Sequence, residues 1–304
     1  MYCKIVLSLL RGGVVVIAAV AIGCGAAGAA APTKLHLGVS ASFALSGGGA
    51  LWVTDRVGNQ LIRVDPAAGR VKWRLGIPSS PFGLAYGAGS VWVGSRNGAR
   101  VTRVNPTTKK VLKRISVGAA PYALAFGAGS VWVSNESSHT VSRISPKRNK
   151  VVKTIRVGGG PNGIAVAFRK VWVADYGASH LIRIDPVRNR VEKRISLPKA
   201  DWISASADAL WVSSETGKIY KVDPVSMAVL ATVTVGANPL ATTWVGGNLW
   251  VPNIDDNSVS VVDPATSSVV STSPTGQSPL AVASAAGRAW VTSDFDGDLW
   301  RFDP

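Results

Sequence analysis

Few residues in this 304-residue chain have the chemistry to act on a substrate, and they fall in three places. The histidines are His36, His139 and His180, and only His139 has a carboxylate nearby, three residues after Glu136. A carboxylate and an imidazole at that spacing could work as a base pair in proton transfer. The second place is Asp294-Phe295-Asp296-Gly297-Asp298, echoed by Asp255-Asp256-Asn257. Alternate aspartates around a glycine can offer oxygens to a hard cation, so Asp294, Asp296 and Asp298 are the candidate ligands for calcium or magnesium. No glutamate follows where a calcium loop needs its bidentate ligand, and Asp and Gly are common in polar hairpin turns, the reading we favour. No other cofactor is expected. The third place is Cys24, which with Cys3 completes the cysteines; everything after residue 24 lacks a thiolate or a disulfide.

The elements that must position these groups are repeats. Tryptophans recur at 52, 92, 132, 172, 211, 250 and 290, and prolines at 66, 106, 146, 186, 224, 264 and 304. A period near 40 with several short strands per unit predicts a β-propeller with one blade per repeat. In residues 81–117, Phe82 to Tyr86, Ser90 to Gly94, Val101 to Asn105 and Val111 to Val117 read as four antiparallel strands between Gly, Asn and Pro turns. The Phe82 segment is innermost. The last repeat stops after its third strand, at Phe302-Asp303-Pro304, and Lys34 to Val39 resembles the end of a fourth strand. The expected architecture is all-β: a seven-bladed propeller of four-stranded antiparallel blades over residues 33–304, closed by an N-terminal strand on the last blade. Closure removes the sheet edges an open array would expose. The tryptophans themselves read as wedges between blades rather than as a site.

Alignment of the repeats with one another separates what the fold dictates from what it leaves free. Three residues after each tryptophan comes a small polar turn residue: Asp55, Ser95, Asn135, Asp175, Ser214, Asn253 and Ser293. One further on the column diversifies into Arg56, Arg96, Glu136, Tyr176, Glu215, Ile254 and Asp294. The residue after the inner-loop proline, or its equivalent, is Ser42, Phe82, Tyr122, Asn162, Asp201, Leu240 or Leu280. Both columns belong to the loop face over the central channel, where propeller function usually sits. The candidate ligand-binding residues are Phe82, Arg96, Tyr122, Glu136, Asn162, Tyr176, Asp201, Trp202 and Glu215. No catalytic residue is assigned.

Residues 1–31 have the order of an export signal: Lys4 and Arg11, the apolar run Val14 to Ile22, then small residues. Ala21-Ile22-Gly23-Cys24 resembles a bacterial lipobox, which implies that Cys24 is lipidated; ordinary cleavage near Ala29 to Ala31 or retention as an anchor are the alternatives. The net charge of +16 is lopsided. Residues 34–200 hold 27 Lys and Arg against 6 Asp and Glu, whereas residues 201–304 hold 4 against 11. Most of the excess lies on the fourth strands of blades 1–4, as in Lys109, Lys110, Lys113 and Arg114, while those of blades 5 and 6 are uncharged. Such a rim either protects sheet edges or attracts an anionic membrane or envelope polymer. Nucleic acid is disfavoured, since the basic strands lack interleaved aromatics.

The motif read from Val117 to Pro146, Val-Gly-x-x-Pro…Leu-Ala-x-Gly-x-Gly-x-Val-Trp-Val-x-Asn…Val-x-Arg-Ile-x-Pro, resembles the YVTN-type propellers and is similar to virginiamycin B lyase-like propellers. The resemblance implies the fold throughout the ring. In the lyases it implies loop-face Glu and His with magnesium performing an elimination. This chain has no closely spaced Glu and His in its late blades, where Asp255, Asp294 and Asp296 stand instead. The expectation is therefore an exported, monomeric propeller, lipid-anchored at the membrane or else secreted or periplasmic, that binds a ligand or protein without catalysis. The alternative is a divalent-cation-dependent carbon–oxygen lyase acting on a cyclic depsipeptide or a related substrate.

Overall fold

A computed structural model describes residues 31–304. They form seven four-stranded antiparallel sheets arranged as a ring. Blade 2 shows the pattern, with Pro81–Gly87 innermost, then Ser90–Ser95, Arg100–Val104 and Val111–Ser116 outermost. Blade 7 is composite. Its strands Pro279–Ala285, Arg288–Ser293 and Asp298–Phe302 are completed by Thr33–His36 from the other end of the chain. That strand runs antiparallel to the third, with Leu35 opposite Leu299 and His36 opposite Asp298. The expected closure is present.

The sequence rules of a blade have physical causes. The first two strands of blade 2 join through Ala88 and Gly89, both at positive φ (48° and 65°), the twist a two-residue hairpin needs. Gly87 serves a different end. A Cβ there would lie 2.0 Å from the ring of Phe126 in the next blade, so only glycine lets the two inner strands approach. Each repeated tryptophan is buried, and the indole N–H usually donates to a carbonyl five residues upstream, as from Trp92 to Gly87 at 3.0 Å. The third-strand arginine caps that indole and clasps the next blade. Arg103 lies 4.8 Å from the Trp92 ring and donates to the Pro146 carbonyl and to Asn149 Oδ1; Arg143 repeats this on Trp132, Pro186 and Asn189. The arginine and proline of the repeat motif are thus blade-to-blade fasteners. Trp132→Ala should cost about 3–5 kcal/mol in a denaturant titration, the usual range for emptying a packed aromatic site.

The outermost strands are exposed along most of their length. Lys110, Lys113 and Arg114 stand free on blade 2, whereas the corresponding places hold Ala228, Ala231 and Thr232 on blade 5 and Ser268, Ser271 and Thr272 on blade 6. No helix among the described residues is long and apolar enough to cross a membrane.

Candidate functional site

Where the inner strand enters blades 2, 3, 4, 5 and 7, its register against the second strand slips. The slip falls between Pro81 and Leu84, Pro121 and Leu124, Pro161 and Ile164, Ala200 and Trp202, and Pro279 and Val282. Such a bulge re-aims side chains, and here it brings the residue after the proline to the channel. A repeated backbone bond sets the second column above it. The N–H groups of Arg96, Glu136, Glu215, Ile254 and Asp294 donate to Ser80, Ala120, Lys199, Asn238 and Ser278, each at the mouth of the inner strand of the same blade. The two variable columns are therefore two stacked rings around one opening.

The upper ring closes by pairing neighbours. Asp294 of blade 7 receives Arg56 of blade 1 through Nε at 2.9 Å and also accepts from Ser42 Oγ at 2.5 Å. Arg96 of blade 2 pairs with Glu136 of blade 3. Tyr176 of blade 4 donates to Glu215 of blade 5 at 2.5 Å, and Ile254 of blade 6 is left apolar. Arg96 also lies over the rings of Tyr122 and Phe82, at 4.8 and 5.6 Å. The Glu215 hydrogen bond, with lesser contributions from burial and nearby carboxylates, pushes the Tyr176 hydroxyl up to about 12. Burial drives Tyr122 well above its usual value.

The lower ring holds the most perturbed acid. Asp201 is 7% exposed, and its Oδ1 accepts from Asn162 Nδ2 at 2.9 Å. Burial pushes its carboxyl up to about 7; Asn162 pulls it back, the charges of Glu215 and Glu136 add to the rise, and Arg96 opposes them. Asp201 therefore faces residues from three other loops.

One level deeper the channel is blocked. The next residues inward are Phe43, Gly83, Ala123, Gly163, Trp202, Ala241 and Ala281. Phe43 of blade 1 and Trp202 of blade 5 are not neighbours in the ring, yet their rings stand 4.9 Å apart, so they meet across the axis. Phe82 joins them at 5.6 Å from Phe43 and Tyr122 packs on Phe82 at 5.0 Å. The small residues between are required by close approach: a Cβ on Gly163 would sit 2.7 Å from Trp202 Cα. The mouth is thus a cup with an aromatic floor. A cavity of about 410 Å³ opens from its blade 7, 1 and 2 side, lined by Arg56, Phe82, Arg96, Leu280, Asp294 and Phe295 among others.

The nine residues expected to bind a ligand all lie in or under this cup, but not as nine free contacts. Phe82, Tyr122 and Asn162 are largely buried, and Trp202 belongs to the floor. Phe43 escaped the sequence reading. The signal was available, since it is the one large residue besides Trp202 in a column of Gly and Ala.

The acidic loop of blade 7 spreads Asp294, Asp296 and Asp298 rather than gathering them. The three carboxylates go to three different partners. Asp294 holds Arg56 and Ser42, Asp296 accepts from the Gln277 N–H at 2.6 Å, and Asp298 accepts from Lys34 and His36 at 2.8 Å each. Gly297 is there because the closing strand crosses it: a Cβ would fall 1.9 Å from the Gly38 carbonyl oxygen. The loop is the clasp between the two ends of the ring. No group of three or more His, Cys, Asp or Glu suited to a metal occurs among the described residues. Glu136 and His139 do not form a base pair either. The Glu136 carboxylate is held by Arg96, while His139 lines a separate groove of about 490 Å³ with Ser138, Thr140, Arg156, Gly158 and Gly159.

These features define a seven-bladed β-propeller with a floored cup on its loop face. No protein-family model matches the chain, and no curated protein sequence matches it. Among solved structures, the ring is similar to a streptogramin B lyase structure, with a TM-score of 0.78 and 14% identity over 89% of this chain and 96% of that one. It is also similar to hydrazine synthase of Kuenenia stuttgartiensis, with a TM-score of 0.76 and 15% identity over 88% of this chain and 96% of that one. At these identities the likeness is one of fold.

Proposed function

We propose that the chain is a non-catalytic binding module whose cup takes a ligand or partner, exported and held at the cell envelope by a lipid on Cys24. The observation that carries this reading is the pairing in the upper ring. Arg56 is engaged by Asp294, Arg96 by Glu136 and Glu215 by Tyr176, so most ionisable groups a reaction would use are already committed. The cup retains diverse, asymmetric walls, which suit recognition. Cys24 lies outside the described residues, and the anchor rests on the sequence around it.

Asp201 favours the second reading, a divalent-cation-dependent lyase, because a carboxyl near neutrality is suited to proton transfer. Incubation with magnesium and a streptogramin B distinguishes the two. The module predicts no turnover; turnover that disappears in Asp201→Asn would replace it with the lyase.

The setting is tested separately. Native protein should take up an acyl label, and Cys24→Ser should lose the label and leave the membrane. The exposed basic strands of blades 1–4 should supply a second hold on anionic lipid, since one acyl chain binds marginally. Cosedimentation with phosphatidylglycerol vesicles should therefore weaken steeply as salt approaches physiological strength, where the Debye length is about 8 Å. Glu at Lys109, Lys110, Lys113 and Arg114 should weaken it further. Salt-independent sedimentation would leave the rim as edge protection only.

A further inference from the structure

We infer that the blade 4 and 5 side of the cup binds an organic ammonium group carried on an apolar body. The inference rests on the reading of the cup as a binding surface and names its ligand class.

Charge balance is the first ground. In the upper ring each guanidinium is matched by a carboxylate in contact, Arg56 by Asp294 and Arg96 by Glu136. Asp201 and Glu215 have no such cation. Each receives a single hydrogen bond, from the neutral groups Asn162 and Tyr176. Asp201 Oδ2 and Glu215 Oε1 receive none. With both acids ionised, their two charges exceed the single one of Lys199 over Tyr176, so the residual charge on this side is negative and sits on blade 5.

A second ground is independent of the carboxylates. Asn162, 5% exposed, keeps its Oδ1 without any donor while its amide nitrogen is on Asp201. A buried acceptor without a donor is costly, and this one stands beside Asp201 in the lower ring. The site thus has more acceptors than the protein has donors, and an ammonium brings three.

The third ground is the lining. Tyr122, Tyr176 and Trp202 surround the acids, and aromatic faces attract cations most strongly where water is excluded. The chain already demonstrates this chemistry: Lys199 places its Nζ 4.3 Å from the centre of the Tyr176 ring. A metal ion fits less well, because the carboxylates do not gather as a ligand set. An anion would meet guanidinium groups that are already neutralised. The apolar body has a place against the half-buried rings of Tyr176 and Trp202 on the same side of the cup.

The groups facing Asp201 are Glu136, Glu215, Arg96, Tyr122 and Tyr176, with Lys199 over the ring of Tyr176. Asp201 titrates near neutrality, so ammonium binding should expel its proton and tighten between about pH 6 and about pH 8.

The probes are phenethylamine, its neutral isostere 2-phenylethanol and the anion 3-phenylpropanoate, titrated calorimetrically into the full chain. The amine should bind at least about tenfold more tightly than either control. Its heat should depend on the ionisation enthalpy of the buffer, reporting proton release. Asp201→Asn and Glu215→Gln should each weaken the amine about tenfold or more while the folded baseline is kept. Equal binding of the alcohol would reduce the site to an apolar pocket, tighter binding of the anion would assign it to the arginines, and no heat from the amine at millimolar concentration would end the proposal. Any of these without streptogramin turnover overturns the ligand class alone; turnover overturns the module reading instead.

Discussion

Deleting residues 33–39 should lower the melting temperature by roughly 15 °C or more, at about 2–4 °C per kcal/mol for a domain of this size. Three losses combine. Leu37 is 1% exposed and packs with Leu51, Val53 and Trp290, a contact of the kind whose truncation to Ala alone costs about 2–5 kcal/mol. Asp298, 4% exposed, would lose both Lys34 and His36, leaving an uncompensated carboxylate. The third strand of blade 7 would also become an open edge. Leu37→Ala and Lys34→Ala separate these contributions, with the leucine expected to dominate because Lys34 is largely exposed. The clasp should also be acid-sensitive. Burial pushes the Asp298 carboxyl up, but the hydrogen bonds and charges of Lys34 and His36 outweigh it and hold it below the ordinary carboxylate range. A lowered folded value means stability that is full above the unfolded pKa and lost as pH falls through the folded one. A melting curve unchanged by the deletion would show that the last blade stands without its borrowed strand.

Asp201→Asn should have the opposite sign and make the protein more stable at neutral and alkaline pH. The folded carboxyl titrates near 7 and the unfolded one near 3.8. Between those values the folded chain holds a proton the unfolded chain has released. Stability therefore declines as pH rises from about 4 to about 7 and stays reduced above it. The full difference is on the order of 4 kcal/mol, which corresponds to about 8–16 °C in melting temperature. Below pH 4 the two proteins should melt alike. Thermal melts across that range check this, and a constant gap between wild type and variant would show that Asp201 is ionised throughout. A buried acid that weakens the fold near neutrality is the kind of perturbed group that clusters at functional sites.

The glycines and prolines explain why the fold was legible and the cup only half so. Trp92 and Pro106 recur in every blade and the Ala88-Gly89 turn in most, because the packing and turn demands they meet arise again around the ring. Forty-residue periodicity therefore wrote the architecture into the chain, and the missing fourth strand of the last repeat announced the closure. The columns that varied where the fold did not require variation marked the loop face for the same reason. Partnerships around the ring obey no local rule. Arg56 and Asp294 are 238 residues apart and meet because the ring closes. Phe43 and Trp202 meet because two inner strands on opposite sides carry large side chains at one depth. The aspartates of residues 294–298 resemble a cation loop in sequence and become a clasp once Arg56, Gln277, Lys34 and His36 are brought to them. The sequence by itself determined the blades, their number and the face that varies, because those depend on interactions inside one repeat. Only the tertiary structure decided which charges are neutralised and which acid is buried without a cation, because that balance is struck between blades.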